Sequence, residues 1–286
     1  MLDKSMEHIL IQTEGLMKEF LGISEGLVAD AALFHLASGG KRIRARLALT
    51  AAEALGLPGS TAMSLAAASE LIHNASLVHD DIQDQTPWRR GVATIWSRHG
   101  VDTAICAGDL MISAAYAAVA RAGSSQASQL IQRMHLRISQ VICGQYADLE
   151  ARDKPIHALL VYEQIAQAKS APLLALPLDL ALIAAGRAGA LCEVERATAT
   201  FAVAYQMADD LEDVAEDAAT GEVNIVTILG GASAASPQAA HVREMARERY
   251  LAAADLAGRL PEGCGALIAM YAQQGATRLL NNAVLV

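Results

Sequence analysis

The chain has 286 residues, of which 53% are hydrophobic and 19% charged, a balance that predicts a large buried core and excludes a disordered chain. Its formal net charge of −9 argues against nucleic acid as a main partner, although a few local cations can still reverse the field inside a cleft. The four cysteines lie far apart, which argues against a disulfide framework or a cysteine metal site and favours a reducing compartment.

Apolar residues recur at helical spacing along almost the whole chain, and breaks rich in glycine or proline separate the helical stretches. In chain order, the predicted helices span residues 3–20, 28–37, 43–56, 60–82, 95–122, 125–150, 157–185, 189–215, 236–257 and 262–281. No strand-like alternation bounded by hairpin turns, fixed-period repeat or polar linker stands out. We therefore expect one all-α domain over residues 1–286, built as a helical bundle with a buried centre.

The N-terminal stretch "MLDKSMEHILIQTEG" contains acidic residues and lacks the apolar run of a signal peptide. The most apolar segment, residues 171–186, contains Pro177 and Asp179 and is too short to span a membrane. These features predict a cytoplasmic protein without a transmembrane segment.

Two acidic motifs share the spacing Asp-Asp-x-x-Asp, "DDIQD" and "DDLED". Their members are Asp80, Asp81, Asp84, Asp209, Asp210 and Asp213. Each motif lies in the last turns of a predicted apolar helix, where the macrodipole disfavours a carboxylate by roughly 0.3–1 kcal/mol. Residues i and i+4 share a helix face, so each motif places at least two carboxylates in one direction. A charged helix end at the surface would explain one such motif, but two copies favour a site for divalent cations, and a donor set made only of oxygen favours Mg²⁺.

Positive side chains accompany the two motifs and would suit a phosphate ligand that shares the Mg²⁺. They are Lys41, Arg42, Arg44 and Arg46 in "GGKRIRARL", Arg89 and Arg90 after the first motif, and Lys169 in an apolar helix. Alternatively, the cations near the glycine pair are solvated and Lys169 extends its amine to the surface. His73 lies two helical turns before Asp80, where it is either a core histidine or a ligand-facing one, and Gln206 is open to the same two interpretations.

In this order the motifs resemble the trans-isoprenyl diphosphate synthases, also called polyprenyl synthetases. The matching stretches are "GGKRIR", "ELIHNASLVHDDIQD", "RRGVAT", "AGDLM", "GQYADL", "AKSAPLL" and "YQMADDLED". The resemblance covers nearly the whole chain, and its two aspartate motifs with "RRG" after the first are its most specific part.

The resemblance implies an antiparallel α-helical bundle around a deep central cavity, and a homodimer. It implies that the six aspartates converge on Mg²⁺, about three ions with substrate bound, bridging an allylic diphosphate. Arg89, Lys169 and Gln206 would place that substrate. The diphosphate of isopentenyl diphosphate would be bound by Lys41, Arg44, His73 and Arg90. The implied reaction joins the two substrates and releases pyrophosphate.

In this family, the side chains one turn before the first motif form the floor of the cavity and limit product length. Here those positions are Ala75 and Ser76, both small. The resemblance therefore predicts a product longer than farnesyl, of about C20 or more.

The chain departs from the family pattern after the second motif, where residues 216–236 contain neither lysine nor arginine and Glu222 stands where a basic residue is usual. Milder departures are Ala45 in place of proline and Ser170 in place of threonine. Two alternatives stay open: a class I terpene cyclase with the same fold, or a non-catalytic subunit that binds prenyl diphosphates.

Overall fold

The computed structural model describes residues 2–23, 25–152, 158–220 and 222–283, nearly all of them helical or in short turns. The chain forms two compact units, Met1–Met134 with Leu180–Arg187, and His135–Asp179 with Ala188–Val286. The helices and strands in chain order are α1 (Leu2–Leu21), α2 (Leu27–Ala37), α3 (Ile43–Ala54), α4 (Gly59–Gln83), β1 (Trp88–Arg89), β2 (Val92–Ala93), α5 (Ile95–His99), α6 (Val101–Arg121), α7 (Ala127–Arg152), α8 (Leu159–Ala184), α9 (Leu191–Thr220), α10 (Ile225–Ile228), α11 (Pro237–Gly258) and α12 (Ala266–Ala283).

Helix α4 is the centre of the first unit and contacts α1, α3 and α6. Many of its buried positions are alanine, as are most of the buried positions of α3 and α6, which lets the helices approach closely. At Gly108 of α6, an added Cβ atom would overlap the ring of His79 on α4, so a larger residue would displace that ring. The core thus fixes the end of α4, where the first acidic motif lies.

In the second unit, α9 packs against α11, and α11 packs against α12. Helices α7 and α8 meet where Gly144 approaches the backbone of Ala168: a Cβ at Gly144 would lie 2.4 Å from that carbonyl oxygen. The carbonyl oxygen of Ala168 lacks its usual helical hydrogen bond, because Pro172 has no N–H to donate. Gly144 packs against this side of α8. A buried ion pair between Arg137 and Asp179, with 2.8 Å from Nε to Oδ2, further ties α7 to α8.

The all-α prediction is confirmed, and the structure differs from it in four places. The predicted helix 95–122 is interrupted at Gly100, whose φ of 87° breaks the helix between α5 and α6. A two-residue hairpin, β1–β2, lies where none was predicted, because two pairs are too short to show alternation. The four-residue helix α10 was missed, and α9 continues to Thr220 instead of ending at residue 215. That the chain is a single domain stays a prediction.

By length and composition, α6 is the one helix among the described residues that could cross a membrane. One of its faces is buried, at positions that include Ala107, Met111 and Ala115, and it packs against α4 within the first unit. This packing is that of a core helix.

Candidate active site

The first aspartate motif ends α4, as predicted: Asp80 and Asp81 lie in its last turn, and Asp84 is the residue that follows it. Asp81 is buried, with 1% of its surface exposed; Oδ1 accepts a hydrogen bond from Nε of Arg89 at 2.7 Å and lies 2.7 Å from Nη2 of the same guanidinium in an ion pair. Burial raises the pKa of Asp81 above its ordinary value, while Arg89 opposes the rise. Oδ2 of Asp81 is buried without a hydrogen-bond partner among the described residues, which leaves an acceptor available to a cation.

The hairpin that follows the motif explains the "RRG" sequence. Arg89 lies on β1, and the two turn residues have positive φ, 53° for Arg90 and 78° for Gly91, as a type I′ turn requires. This geometry directs Arg89 to Asp81. Arg90 instead donates from Nη1 to the carbonyl oxygen of Gly39, and a Cβ at Gly40 would lie 2.8 Å from its guanidinium. Gly39 and Gly40 therefore leave room for the side chain of Arg90.

Four residues predicted to bind one diphosphate line a single cavity in the first unit. They are Lys41, Arg44, His73 and Arg90, with Ser38, Gly40, Arg42, Ile43 and Glu70 completing the lining. Burial, and then the charge of Arg44, lower the pKa of His73 well below its ordinary value, so its neutral ring can accept a hydrogen bond from Nη1 of Arg44 at 3.2 Å. Since four of the lining side chains are cationic and one is acidic, the cavity suits an anion.

Arg42 and Glu70 form the support of this cavity, a role that the sequence analysis missed. Arg42 has a left-handed backbone, with φ of 50°, and its buried side chain donates to Glu14 and to the carbonyl oxygen of Leu36, each at 2.6 Å. Glu70 accepts from the backbone N–H of Ala45 at 3.0 Å and lies 3.9 Å from Arg42. These contacts fix the loop so that the neighbouring cations face the cavity. A buried glutamate in the apolar run "SELIH" was the available signal.

The second motif belongs to the second unit and is held differently. The Asp210 side chain, 2% exposed, accepts three hydrogen bonds: Oδ1 from Gln206 Nε2 at 2.8 Å, and Oδ2 from the Tyr162 hydroxyl at 2.9 Å and from the Ile225 N–H at 2.8 Å. Burial raises the pKa of Asp210 to about 6 in spite of these donors. Burial also raises the pKa of Asp209, and the neighbouring carboxylates of Asp213 and Asp217 raise it further.

The prediction that this motif lies in the last turns of its helix is wrong, because α9 extends seven residues beyond Asp213 to Thr220. The macrodipole acts mainly within the last turn, so it does not account for the raised pKa values of this motif. Burial and repulsion between carboxylates do.

A cavity in the second unit brings together both of the residues there that were predicted to place the allylic substrate, Lys169 and Gln206. Asp148, Tyr162 and Glu222 line it too, along with the apolar residues Ala151, Ile165, Ala166 and Val223. Lys169 donates to Oδ2 of Asp148 at 2.7 Å, so its ammonium is oriented across the cavity by a carboxylate that the sequence analysis did not single out. Glu222 adds a second carboxylate to the lining.

The two positions predicted to limit product length lie on α4, one turn before the first motif. Ala75 is fully buried, whereas Ser76 is partly exposed and donates its hydroxyl to the carbonyl oxygen of His73 at 2.8 Å. Both side chains are small, as the sequence shows, and their effect on product length stays a prediction.

The carboxylates fit Mg²⁺ in their chemistry: each motif offers only oxygen donors, and Asp81 retains a buried oxygen without a partner among the described residues. Raised pKa values at Asp81, Asp209 and Asp210 are the response to buried charge that a bound cation would reverse. Within the described ranges, however, no three Asp, Glu, His or Cys side chains are gathered closely enough to hold an ion. Since the motifs belong to different units, a metal cluster shared by both stays a prediction.

A sequence profile described as polyprenyl synthetase matches residues 27–226, which contain both aspartate motifs and both cavities. The chain belongs to the polyprenyl synthetase family. Family membership accounts for the order of the motifs along the chain.

Two relatives and one solved structure illustrate the likeness. The chain is 32% identical to a geranylgeranyl pyrophosphate synthase of Geoglobus acetivorans over 66% of its own length and 60% of the relative's. It is 33% identical to a (2E,6E)-farnesyl diphosphate synthase of Mycobacterium bovis over 60% of its length and 48% of the relative's. The matched segments thus span about half to three fifths of these relatives. The solved structure of the Geoglobus acetivorans synthetase superimposes with a TM-score of 0.84 at 22% identity, covering 95% of this chain and 99% of the other, which shows a common fold.

Proposed function

We propose that this protein is a prenyltransferase that condenses isopentenyl diphosphate with an allylic diphosphate, depends on Mg²⁺ and releases pyrophosphate. The observation that carries the proposal is the cationic cavity of the first unit, which Lys41, Arg44 and Arg90 line together with the neutral His73. A second diphosphate site distinguishes condensation from the reaction of a terpene cyclase, which acts on a single prenyl diphosphate. The names of the relatives, which are geranylgeranyl and farnesyl synthases, are consistent with this activity.

The proposed reaction breaks the bond between C1 and oxygen of the allylic diphosphate, and the electron pair leaves with the diphosphate. The double bond of isopentenyl diphosphate attacks the resulting allylic cation, and a proton is then lost to the released pyrophosphate. Mg²⁺, when bound to the six aspartates, would neutralise charge that develops on the leaving group. Lys169 and Arg89 would contribute fixed positive charge, and Gln206 would orient Asp210 while lining the same cavity. The apolar side chains that line this cavity would keep water from the cation.

A product of about C20 or more follows from the small side chains of Ala75 and Ser76, because a larger side chain at either position would obstruct a growing chain. The two relatives differ in the product that their names give, so likeness alone does not fix the length. Introducing phenylalanine as Ala75→Phe should shorten the product, and chromatography of the dephosphorylated products would measure it. Because Ala75 is fully buried, Ser76→Phe at the partly exposed neighbour is the variant more easily accommodated. Unchanged product length in both variants would contradict this assignment.

Incubation of the purified protein with Mg²⁺, radiolabelled isopentenyl diphosphate and a series of allylic diphosphates tests the proposed function. Incorporation of label into longer prenyl diphosphates is the expected result. A hydrocarbon formed from a single prenyl diphosphate would indicate the cyclase. The absence of any product without a partner protein would indicate a non-catalytic subunit. Glu222 and Asp148 place negative charge in the lining of the second unit's cavity, and this charge is the observation that favours the non-catalytic subunit as the alternative. The homodimer and the cytoplasmic location are part of the same proposal, and sedimentation of the purified protein measures the first.

A further inference from the structure

Asn224 uses every hydrogen-bonding group of its amide side chain, although it is a loop residue next to a helix of only four residues. Its Nδ2 donates to the backbone carbonyl oxygen of Asp210 and to Oδ2 of Asp217, both at 2.7 Å. Its Oδ1 accepts from the N–H of Val226 at 2.9 Å, which caps the start of α10. The residue is 1% exposed, so water does not share these bonds. One side chain therefore joins α9 to α10 at the second aspartate motif.

The cap explains the carbonyl group of this amide but not its NH₂ group. Capping a helix requires only an acceptor, which Ser, Thr or Asp supplies as well as Asn. A four-residue helix gains little stability from its own hydrogen bonds, so α10 depends on what anchors it. The two donated bonds supply that anchor, and both end on α9 within the stretch that carries the motif.

The position of Asn224 determines a donor to Asp210. The N–H of Ile225, the next residue, donates to Oδ2 of Asp210, and Tyr162 on α8 donates to the same oxygen. With Gln206 on α9, the carboxylate is held by three donors from three helices. Moving residue 224 would withdraw the Ile225 N–H, and the carboxylate would then rotate toward the two donors that remain.

We propose that Asn224 is a positioning residue that holds the Asp210 carboxylate in the orientation used to bind a divalent cation, with the Tyr162 hydroxyl as a second support. The inference rests on the proposed function in one respect, namely that Asp210 is a metal ligand. The inference concerns the binding of the cation and not turnover, so it can be measured even if the protein does not condense the two substrates.

The test compares Asn224→Ser and Asn224→Asp. Both keep an acceptor for the cap of α10, and both lose the NH₂ group; the aspartate also faces the carboxylate of Asp217. Asn281→Asp, at an exposed position of α12, is the matched control for the added charge. Calorimetric titration with Mg²⁺ and inorganic pyrophosphate measures affinity, and hydrogen exchange of residues 222–229 measures whether α10 is retained.

We expect the serine variant to bind Mg²⁺ and pyrophosphate about tenfold more weakly, which corresponds to one hydrogen bond to a charged group, and the aspartate variant to bind more weakly still. The control should bind like the wild type. If both variants at residue 224 bind like the wild type, the residue only caps α10 and the inference is overturned.

Tyr162→Phe provides a test that does not depend on α10. The substitution removes one hydroxyl from Asp210 and leaves the cap intact, so hydrogen exchange of α10 should stay unchanged while affinity falls about fivefold. Equal affinity for this variant would also overturn the inference. A wild type that binds Mg²⁺ and pyrophosphate but condenses no substrates would refute the proposed function while leaving the positioning role to be decided by these variants.

Discussion

In the first unit the buried carboxylate of Asp81 is held by the guanidinium of Arg89, whereas in the second unit that of Asp210 is held by a phenol, an amide and a backbone N–H. The motifs have the same spacing and nearly the same burial. Their difference is the charge of the partner, because a cation compensates a carboxylate and neutral donors only solvate it. Burial raises the pKa of both carboxylates, and that of Asp210 reaches about 6.

The surroundings extend this contrast. In the first unit, burial and the charges of Arg90, Arg89 and Arg42 lower the pKa of His35 to about 4, so the local potential is positive. In the second unit, burial raises the pKa of Asp209, and the charges of Asp213 and Asp217 raise it further, so these carboxylates make the local potential negative. A diphosphate would favour the first environment and a cation the second.

The largest expected effect comes from combining the two motifs. Asp81→Asn and Asp210→Asn should each lower condensation by about 10³-fold, because each removes a ligand charge from the site of the leaving group. If both motifs hold the same ions, the double variant should fall no more than about tenfold below the weaker single variant. Incorporation of radiolabelled isopentenyl diphosphate measures condensation by the wild type, the two single variants and the double variant. A multiplicative loss would show that the motifs act independently and would contradict a shared cluster.

The lowered pKa of His35 in the first unit predicts how the free energy of unfolding depends on pH. The pKa of His35 is about 4 in the folded chain, below the ordinary histidine value of 6.5 that applies to the unfolded chain, so between these values the unfolded chain binds more protons. His35 therefore lowers the free energy of unfolding as pH falls from 6.5 to 4, by about 3 kcal/mol in total. His35→Leu should reduce this loss, measured by urea denaturation at several pH values. His8→Leu, at an exposed position, is the control and should keep the wild-type dependence; an unchanged slope in His35→Leu would contradict the prediction.

Loss of the cation beside Asp81 should have the next largest effect on stability. Arg89→Ala leaves a buried carboxylate without its charged partner, and we expect the free energy of unfolding to fall by about 2 kcal/mol, less than for a fully buried pair because Arg89 is partly exposed. Arg259→Ala, which breaks an exposed pair with Asp255, should cost less than about 1 kcal/mol. Equal costs for the two variants in urea denaturation would show that burial of Asp81 adds nothing to the interaction.

Much of this arrangement could be predicted from the sequence, since it depends on local spacing. Helical periodicity located the main helices, and the order of the motifs identified Lys41, Arg44, His73 and Arg90, which share one cavity. The location of Asp80 and Asp81 in the last turn of α4 also followed from the pattern.

What could not be predicted were the partners of the motif residues. Glu70 and Tyr162 bind residues that lie 25 and 48 positions away along the chain, and Asn224 caps a helix too short to detect. Such contacts depend on how helices pack, and periodicity does not encode packing. An Asn before the apolar run "IVTI" was a recognisable capping signal, but four residues carry too little periodicity to define a helix.

The smallest expected effect separates charge from geometry in the first motif. Arg89→Lys keeps a cation near Asp81 but loses the planar group that places two nitrogens 2.7 Å from Oδ1, so the free energy of unfolding should fall by about 1 kcal/mol, between wild type and Arg89→Ala. Urea denaturation of the three proteins in one buffer provides the comparison. If lysine is no better than alanine, charge contributes nothing at this position, and the contrast between a charge-compensated motif and a neutrally solvated one fails. If the lysine variant is as stable as the wild type, any cation compensates the buried charge of Asp81. The planar shape of the Arg89 guanidinium then serves substrate binding and not stability.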